Sequence, residues 1–473
     1  MTETLTDGFD ALRADMAGPI VTPDDPGYEQ ARKVWNAAID RRPAVIAKCT
    51  STTDVVAAVR FAQDQGLEIA VRGGAHNMPG LSVCDDGLVI DLSPLKRVTV
   101  DADAKRARVQ GGALLSDLDA ATQAHGLAVP LGAIGHTGVG GLTVGGGMGW
   151  LTRQAGLSID NLASAEVVVA DGRVLRAAED ENADLFWAIR GGGGNFGVVT
   201  EFEFRLREVG PMVQFGLFFW PQDQGREALR LIRDVIADLP RSMNAIAAAA
   251  LTAPPAPFVP VEHHHKPGYA LLLTGFGDPA EHQQVVDRIR QTLPPLFDQV
   301  TPMPYTAVQQ MLDEANAWGS YGYDKGAYFE DLTDEVIEIL TEHAPRKSSP
   351  LSVLLFYRLD GAYSDVAEGD TGFGGGRSPR YMGFFIGLCP SPELLPGERE
   401  WVRSLWSALR PHMMGIGTYV NAFEEQDDHR VRETYGPKYE RLAAIKAQYD
   451  PQNVFHGNVN IRPSEQGQST SSE

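Results

Sequence analysis

The chain has 473 residues, a formal net charge of −21 and 43% hydrophobic residues. This length exceeds one ordinary hydrophobic core, so we expect two or three domains. The acidic balance makes nucleic acid and anionic membrane surfaces unfavourable partners, although it does not select a substrate.

The cysteines and the N-terminus set the expected compartment. Cys49, Cys84 and Cys389 form no CxxC pair, so we expect neither a disulfide framework nor a zinc site. The first residues lack the basic region and the apolar stretch of a signal peptide, and no apolar run is long enough to span a bilayer. We therefore expect a cytoplasmic protein without a membrane partner.

The chain before Pro211 predicts short helices and strands that follow a polar lead-in at 1–26. Thr53 and Asp54 predict the N-terminal cap of a helix that ends at Gly66. Asp171-Gly172, between two apolar runs, indicates a hairpin. We expect further helices at 114–125 and 184–189, and strands at 68–71, 88–91, 98–100, 107–110, 165–170, 174–177 and 198–206.

From Pro211 onward, longer strands are separated by helices, and the loops are rich in proline and glycine. This order predicts a second, α+β domain on an antiparallel sheet. The expected strands are 213–220, 246–251, 269–276, 352–359 and 381–388, and the expected helices are 226–239, 280–293, 333–342 and 398–409. A helix at 435–449 and a polar C-terminal tail follow this domain.

Three glycine-rich turns lie in the first part of the chain, at 73–74, 138–149 and 191–197. Glycine loses much backbone entropy on folding, so each turn needs a compensating reason. Close packing of strands is one such reason, and a ligand held against main-chain N–H groups is the other. Three turns in one region favour the ligand, and the first turn places the imidazole of His76 where a large ligand would approach.

The third turn, Gly192 to Gly197, has the letters of the GxGxxG dinucleotide fingerprint. That fingerprint needs a strand before it and a helix after it. Here a predicted helix precedes the turn and a predicted strand follows it, so a Rossmann domain is disfavoured.

Glu262-His263-His264-His265 has the residue types of a metal site. In an extended loop, neighbouring side chains point to opposite faces, so three adjacent imidazoles seldom converge on one ion. We interpret this segment as a solvated loop and expect no metal site.

Six segments, in a fixed order, resemble the berberine bridge enzyme-like flavin oxidases. This family belongs to the wider group with the p-cresol methylhydroxylase-type FAD domain, also called the vanillyl-alcohol oxidase fold. The likeness extends from about Pro43 to Ile461. The segments that carry it are 71–77 (VRGGAHN), 138–151 (GVGGLTVGGGMGWL), 156–161 (GLSIDN), 184–199 (DLFWAIRGGGGNFGVV), 419–421 (YVN) and 449–461 (YDPQNVFHGNVNI).

The resemblance implies an α+β fold with an FAD-binding domain of that type and a substrate domain whose antiparallel sheet is covered by helices. The FAD-binding domain would be discontinuous, with residues 27–210 and 416–462. Residues 211–415 would form the substrate domain, and residues 463–473 would be a disordered tail.

The resemblance also implies that FAD is bonded through its 8α-methyl group to His76, whereas the alternative is a histidine that only hydrogen-bonds its turn. Relatives with a second bond carry a cysteine where this chain has Ile134, so we expect no cysteinyl link. The remaining residues that the resemblance assigns to the FAD site are Arg72, Gly73, Gly74, Ala75, Asn77, Thr137, Gly138, Gly141, Gly145, Gly146, Gly149, Asp160, Asn161, Gly197, Val199, Asn458 and Asn460.

Tyr419 matches a tyrosine that relatives place near the substrate, where it could remove the O–H proton while hydride leaves the adjacent carbon. A phenol with a pKa near ~10 needs a lower value to do this at neutral pH, and Arg377 is our candidate for the positive group that lowers it. Tyr381 could line the cavity, but alternation does not decide which face it occupies. A packing role for Tyr419 stays open.

The implied activity is oxidation of an alcohol or sugar C–H(OH) group by hydride transfer to flavin N5, with O2 reduced to H2O2. Thr137 lies where many relatives have an aliphatic residue thought to influence oxygen access, so a dehydrogenase that uses another electron acceptor stays open. The donor could also be a natural-product intermediate, and the chain could be a flavin-bearing binding module without turnover.

Overall fold

A computed structural model describes residues 3–422 and 427–465, and these residues form four β-sheets with helices packed around them. The smaller sheets come from the chain before residue 211, and the largest sheet comes from the chain after it.

The first part of the chain alternates short helices and short strands. In chain order these are α1 (Glu3–Asp15), β1 (Ile20–Val21), α2 (Tyr28–Ala31), β2 (Val45–Lys48), α3 (Thr52–Gln65), β3 (Ile69–Arg72), β4 (Leu88–Asp91), β5 (Val98–Asp101), β6 (Arg106–Gln110), α4 (Leu115–Gln123), β7 (Leu127–Ala128), α5 (Val139–Val144), α6 (Thr152–Ala155), β8 (Leu162–Val168), β9 (Val174–Ala178), α7 (Ala183–Ile189), β10 (Val198–Arg205) and β11 (Arg207–Glu208).

Longer strands dominate the rest of the chain. They and their helices are β12 (Met212–Pro221), α8 (Gly225–Ala237), β13 (Met243–Thr252), β14 (Pro267–Gly275), α9 (Pro279–Thr292), β15 (Phe297–Pro304), α10 (Tyr305–Gln309), β16 (Tyr321–Phe329), α11 (Asp334–His343), β17 (Val353–Leu359), α12 (Ala362–Asp365), β18 (Arg380–Cys389), α13 (Leu395–Leu409), α14 (Asp428–Tyr435) and α15 (Tyr439–Tyr449).

The first part builds two principal sheets. One has the order β1-β2-β4-β3, in which β2 and β3 both run parallel to β4. The other has the order β5-β6-β10-β8-β9 and is antiparallel. The sequence did not predict β2, because a buried parallel strand shows a continuous apolar run instead of an alternating pattern.

The N-cap of helix α3 lies two residues before the Thr53-Asp54 cap that the sequence predicted. Ser51 is its N-cap, and the Ser51 hydroxyl accepts the amide N–H of Asp54. The Asp54 carboxylate instead accepts N–H groups from Ala17, Gly18 and Thr50. The helix ends at Gly66 with a left-handed φ of +63°, as the sequence predicted.

The predicted lead-in at 1–26 contains a packed helix. Phe9 and Leu12 of α1 are buried together with Met16 and Ile20, which follow the helix, in a core that includes apolar residues of α3. The apolar residues recur at helical spacing, so a mostly polar composition still forms a buried stripe.

The largest sheet has the antiparallel order β15-β12-β14-β13-β17-β18-β16, which confirms the predicted antiparallel sheet covered by helices. One face packs against α8, α9, α11 and α13. The sequence missed β15 and β16. In β16, glycine and charged residues stand on a strand that is buried on both faces, so no alternating pattern announces it.

The C-terminal segment returns to the first part of the chain. Residues of α14, α15 and 459–461 share a core with α7 and β10. Of the predicted tail, residues 466–473 lie outside the described residues, and the Ser464 amide donates to the Ala443 carbonyl. Within the described ranges, we find no helix with the length and apolarity of a bilayer span. The cytoplasmic location stays a prediction.

Candidate functional site

The glycine turn at 73–74 lies directly against the turn that begins at Gly138. A Cβ atom on Gly74 would overlap the backbone nitrogen of Gly138, and one on Gly138 would overlap that of Gly74. A Cβ atom on Gly73 would lie 3.3 Å from the carbonyl oxygen of Gly111. Close main-chain packing therefore explains the glycines at 74 and 138 without a ligand.

Four more of the predicted cofactor glycines also pack against the chain itself. A Cβ atom on each would overlap or crowd a neighbour, namely Asn421 for Gly145, Phe373 and Tyr419 for Gly146, Leu131 for Gly149 and Val168 for Gly197. Gly146 and Gly197 also have φ values of +136° and +149°, where any side chain is strained.

Gly141 differs from these glycines because it is exposed and no heavy atom lies within 4 Å of the position of its Cβ. Chain packing does not require a glycine here, so Gly141 marks an open side of α5. Val199, by contrast, is buried in β10 opposite Val167 of β8, which is a core position.

The residues around His76 hold its turn in place. Arg72 donates to the carbonyl of Ala31, and the side-chain oxygen of Asn77 accepts the amide N–H of Leu81 at 3.0 Å. Ala75 is buried with a left-handed φ of +52°. These three residues shape the turn.

The imidazole of His76 lies between two other rings. Trp35 stacks on it with ring centroids 4.5 Å apart and an interplanar angle of 23°. Nε2 of His76 lies 3.1 Å from Nδ1 of His136. Burial, together with the electrostatic effect of the neighbouring His136 imidazole, lowers the pKa of His76 to about 3, so the His76 ring is neutral at physiological pH.

Neither His136 nor Trp35 was predicted from the sequence to belong to the site. The cue for His136 was an imidazole beside the second glycine turn, one residue before Thr137. Thr137 itself is half-buried, and its carbonyl accepts the amide N–H of Leu115 at 2.9 Å.

Two asparagines of the C-terminal segment carry buried acceptors. The Oδ1 atoms of Asn458 and Asn460 are buried and have no hydrogen-bond partner among the described residues. The Nδ2 of Asn458 donates to Phe455 at 3.1 Å. These two acceptors are therefore free to accept hydrogen bonds from a polar ligand at this segment.

Lys446 anchors the C-terminal segment that contains Asn458 and Asn460. This residue was not predicted from the sequence. Its buried ammonium donates to the carbonyls of Asn195 and Phe455 at 2.7 and 2.9 Å and pairs with Asp450 at 2.5 Å. Burial lowers the pKa of Lys446, and the Asp450 carboxylate opposes that effect. The available cue was the spacing of four residues between Lys446, on a predicted helix, and Asp450, directly after it.

Asp160 and Asn161 form contacts within the protein. Asp160 pairs with both terminal nitrogens of Arg377 at 2.8 Å, and both side chains are buried. Asn161 donates to the carbonyls of Ala155 and Leu157 at 2.8 and 2.9 Å. The structure therefore places these two residues in the scaffold and not at an open cofactor surface.

Tyr419 is buried between the glycine turn and the large sheet. Its hydroxyl oxygen accepts the amide N–H of Gly147 at 2.8 Å and the Nδ2–H of Asn421 at 2.9 Å. Its ring contacts Phe373 and Phe384 edge-on, with centroids 6.2 Å away in each case.

Burial raises the pKa of Tyr419 to about 12, and the hydrogen bonds from Gly147 and Asn421 act against that rise. We predicted from the sequence that Arg377 lowers the pKa of Tyr419, and the structure corrects this prediction. The Arg377 guanidinium is paired with Asp160, and N–H donors are the groups that lower the Tyr419 pKa.

The structure decides the face of Tyr381, which the alternation of the strand left open, and this face is not the one toward Tyr419. Met382 and Phe384 of β18 pack with or against Tyr419, whereas Tyr381 packs with the helices on the opposite face of the sheet. Successive side chains of a strand point to opposite faces, so Tyr381 and Phe384 are separated by the sheet. Tyr381 instead lines a cavity of about 870 Å³ with Arg358 on that outer face.

The face toward Tyr419 is aromatic and apolar. Phe384 pairs with Leu355 across β17 and β18, and its ring contacts Tyr357 edge-on with centroids 5.6 Å apart. All three side chains are half-buried. This surface could hold the apolar part of a substrate.

The described residues contain no group of three histidine, cysteine or acidic side chains that could hold a metal ion. In the histidine-rich loop, Nε2 of His264 lies 3.0 Å from the Val259 carbonyl, and His265 is exposed.

Together, these features fit a large polar cofactor held between the two parts of the chain. A neutral imidazole at position 76, an open glycine at 141 and unpaired acceptors at Asn458 and Asn460 come from three separate segments. Nearly all other glycines of the predicted site serve packing.

Two family profiles match the chain. The FAD binding domain matches residues 43–178, and the "Berberine and berberine like" segment matches residues 418–462. An FAD-linked oxidoreductase of Dictyostelium discoideum is 30% identical over 92% of this chain and 92% of its own length. The (R)-6-hydroxynicotine oxidase of Paenarthrobacter nicotinovorans is 30% identical over 96% of this chain and 98% of its own length.

Solved structures share the fold over nearly the whole chain. The 6-hydroxy-D-nicotine oxidase of Arthrobacter nicotinovorans has a TM-score of 0.83 at 27% identity and covers 95% of this chain and 98% of its own. The glucooligosaccharide oxidase of Acremonium strictum, described with a 6-S-cysteinyl, 8α-N1-histidyl FAD, has a TM-score of 0.83 at 24% identity, with 97% and 99% coverage.

Proposed function

Because this chain belongs to the berberine bridge enzyme-like FAD-linked oxidoreductases, we propose that it oxidises an alcohol carbon with FAD bonded to His76. Bound FAD supplies the two-electron acceptor, which takes hydride at N5 and is reoxidised by O2 with formation of H2O2.

The observation that carries this proposal is the environment of the Tyr419 hydroxyl. Its oxygen accepts N–H groups from Gly147 and Asn421, and both bonds stabilise the phenolate against the burial that raises the pKa of Tyr419 to about 12. With these two donors in place, Tyr419 would remove the O–H proton of an alcohol as its C–H bond breaks. Tyr419 is therefore the proposed base, and Phe373 and Phe384 fix its ring.

The proposed cofactor contacts come from the chain's own polar groups. The unpaired Oδ1 atoms of Asn458 and Asn460 would accept hydrogen bonds from FAD, and the open side of Gly141 would let the cofactor approach the backbone. His76 would form the covalent link, because a neutral imidazole has a free lone pair.

We propose a histidyl link alone. Ile134 occupies the position of the second attachment residue, and the thiols of Cys49, Cys84 and Cys389 are buried. Burial also raises the pKa of Cys84 to about 12, which disfavours the thiolate that such a bond requires.

The donor is proposed to be an alcohol, either a carbohydrate or a natural-product intermediate. The half-buried patch of Leu355, Tyr357 and Phe384 favours a donor with an aromatic or apolar part. Relatives include both a nicotine oxidase and an oligosaccharide oxidase, so family membership does not choose between these donors.

A panel of aromatic alcohols and oligosaccharides, mixed with the protein without oxygen, tests this proposal. Bleaching of the yellow absorbance by a panel member supports substrate oxidation. A purified protein that has no flavin and takes up none from added FAD would refute the proposal.

A dehydrogenase is the second candidate, because Thr137 replaces an aliphatic residue beside the expected flavin. Reduced protein mixed with air-saturated buffer separates the two candidates. Reoxidation within milliseconds to seconds supports the oxidase, whereas reoxidation over many minutes supports another electron acceptor.

A further inference from the structure

We propose that His136 positions His76 for covalent attachment of FAD, selects Nδ1 of His76 as the reacting nitrogen and accepts the proton from its Nε2. This inference rests on the proposed function, in which His76 carries the cofactor. The hydrogen-bond chain from Asp313 through His136 to His76 is its basis.

The hydrogen-bond chain begins at the backbone carbonyl of Asp313, which can only accept a hydrogen bond. Nε2 of His136 lies 3.4 Å from the backbone carbonyl oxygen of Asp313, so this nitrogen carries the hydrogen. A neutral imidazole has one N–H, and Nδ1 of His136 therefore keeps its lone pair. That lone pair faces Nε2 of His76 at 3.1 Å and requires a hydrogen there.

The hydrogen on Nε2 of His76 decides which nitrogen of this ring can react. With the hydrogen on Nε2, the lone pair of the His76 ring lies on Nδ1, and only a lone pair can form the new bond. Burial keeps His76 neutral, with its pKa lowered to about 3. The arrangement thus presents one nitrogen as the nucleophile and commits the other to His136.

The imidazoles of His136 and His76 are both held through contacts with residues 313–316, in the part of the polypeptide after residue 211. The Asp313 carboxylate accepts the amide N–H of Gly135 at 2.6 Å, next to His136. The Trp35 indole N–H donates to the carbonyl of Asn316 at 2.6 Å, and the Trp35 ring stacks on His76. Rotation of either imidazole out of the chain would break these contacts.

In the attachment step, Nδ1 of His76 would form a bond to the 8α carbon of FAD, and that carbon would lose one C–H bond as a proton and two electrons. The two electrons would pass to the flavin, and Nε2 of His76, made acidic by the new bond, would release its proton to Nδ1 of His136. O2 would then take the two electrons together with the 8α proton and the proton held by His136, as H2O2.

His136 is well placed to hold the transferred proton. As an imidazolium it donates through Nε2 to the Asp313 carbonyl, and the Asp313 carboxylate lies on the adjacent amide. The resulting Nδ1-alkylated imidazole of His76 is neutral and needs no counter-ion in its partly buried setting.

The test uses full-length protein produced without riboflavin and then mixed with FAD, and it follows covalent flavin by intact mass. We expect His136→Ala to bind FAD but to attach it at least ~10²-fold more slowly, the scale of lost proton transfer. Free imidazole should speed attachment in His136→Ala and leave wild type unchanged, because it replaces only the proton acceptor. His125→Ala, a variant of an exposed histidine, is the matched control and should attach at the wild-type rate.

Attachment in His136→Ala at the wild-type rate would overturn the proposal, and so would a failure of imidazole to restore it. A measurement on wild type alone covers the case in which the variant does not fold. The flavin peptide is compared with synthetic Nδ1- and Nε2-linked standards, and we expect the Nδ1 link. An Nε2 link would overturn this inference but not the link to His76, whereas wild type without covalent flavin would remove that link itself.

Discussion

The hydroxyl oxygen of Tyr419 accepts the backbone N–H of Gly147 at 2.8 Å, although the two residues are 272 positions apart. The contact joins the C-terminal segment to the second glycine turn. Gly146, the preceding residue in that turn, has no room for a side chain beside Phe373 and Tyr419. Packing against Tyr419 therefore explains this glycine without a ligand.

Replacement of Tyr419 by Phe removes the proposed base and leaves the ring in place. We expect kcat to fall ~10²–10⁴-fold, the range for loss of general-base catalysis. Steady-state rates with the panel's best substrate provide the measurement. Tyr381→Phe, on the opposite face of the sheet, is the control and should keep its activity; equal losses in both variants would contradict the assignment.

Replacement of His76 by Ala should abolish the covalent link while the other cofactor contacts remain. We expect acid precipitation to leave the yellow colour in the supernatant, whereas wild-type precipitate stays yellow. His429→Ala, which changes an exposed histidine, should behave as wild type. Colour that stays with the precipitated His76→Ala protein would place the link elsewhere.

Two glycine variants separate packing from cofactor contact. Gly74→Ala forces a Cβ into the Gly138 backbone, so we expect a large loss of folding stability, seen as a lower Tm. Gly141→Ala meets no protein atom and lies in a helix, where alanine is favoured by about 0.5–1 kcal/mol. We therefore expect Gly141→Ala to have a flavin-free Tm equal to or slightly above that of wild type and to bind FAD more weakly. Unchanged FAD affinity would show that the cofactor does not approach Gly141.

Lys446→Met leaves Asp450 as a buried charge without its partner. Breaking such a pair costs about 3–5 kcal/mol, so the urea midpoint should fall sharply. Arg432→Met, in an exposed pair with Glu440, is the matched control and should leave the urea midpoint nearly unchanged, because solvent screens this pair. Similar losses in the two variants would contradict the anchoring role of Lys446.

Asp119 gives the stability a pH dependence. It is fully buried, and burial raises its pKa from 3.8 to about 7. Between these values the folded protein keeps a proton that the unfolded chain releases, so this contribution to stability is complete below pH 3.8 and is lost as the pH rises through 7. Asp119→Asn should therefore stabilise the protein at pH 8 and have much less effect at pH 5, measured as urea midpoints. A gain that is equal at both pH values would contradict the raised pKa.

Sequence patterns predicted the elements with regular spacing. The antiparallel sheet from Val213 onward and the end of α3 at Gly66 were both correct, because period-two alternation and a glycine C-cap are local properties. Strands β2 and β16 were missed because burial on both faces removes the alternation. The helix at 3–15 was missed because its few apolar residues become a buried stripe only when it packs on α3.

At the site, the sequence by itself determined the chemistry available: an imidazole on a glycine turn, a tyrosine two residues before an asparagine, and a family of FAD-linked oxidoreductases. Only the tertiary structure decided which residues are placed to take part in this chemistry. It placed Tyr381 behind the sheet, paired Arg377 with Asp160 and brought His136 to His76. The reason is physical, since the face of a strand and the partner of a charge depend on contacts between segments that are far apart in the chain.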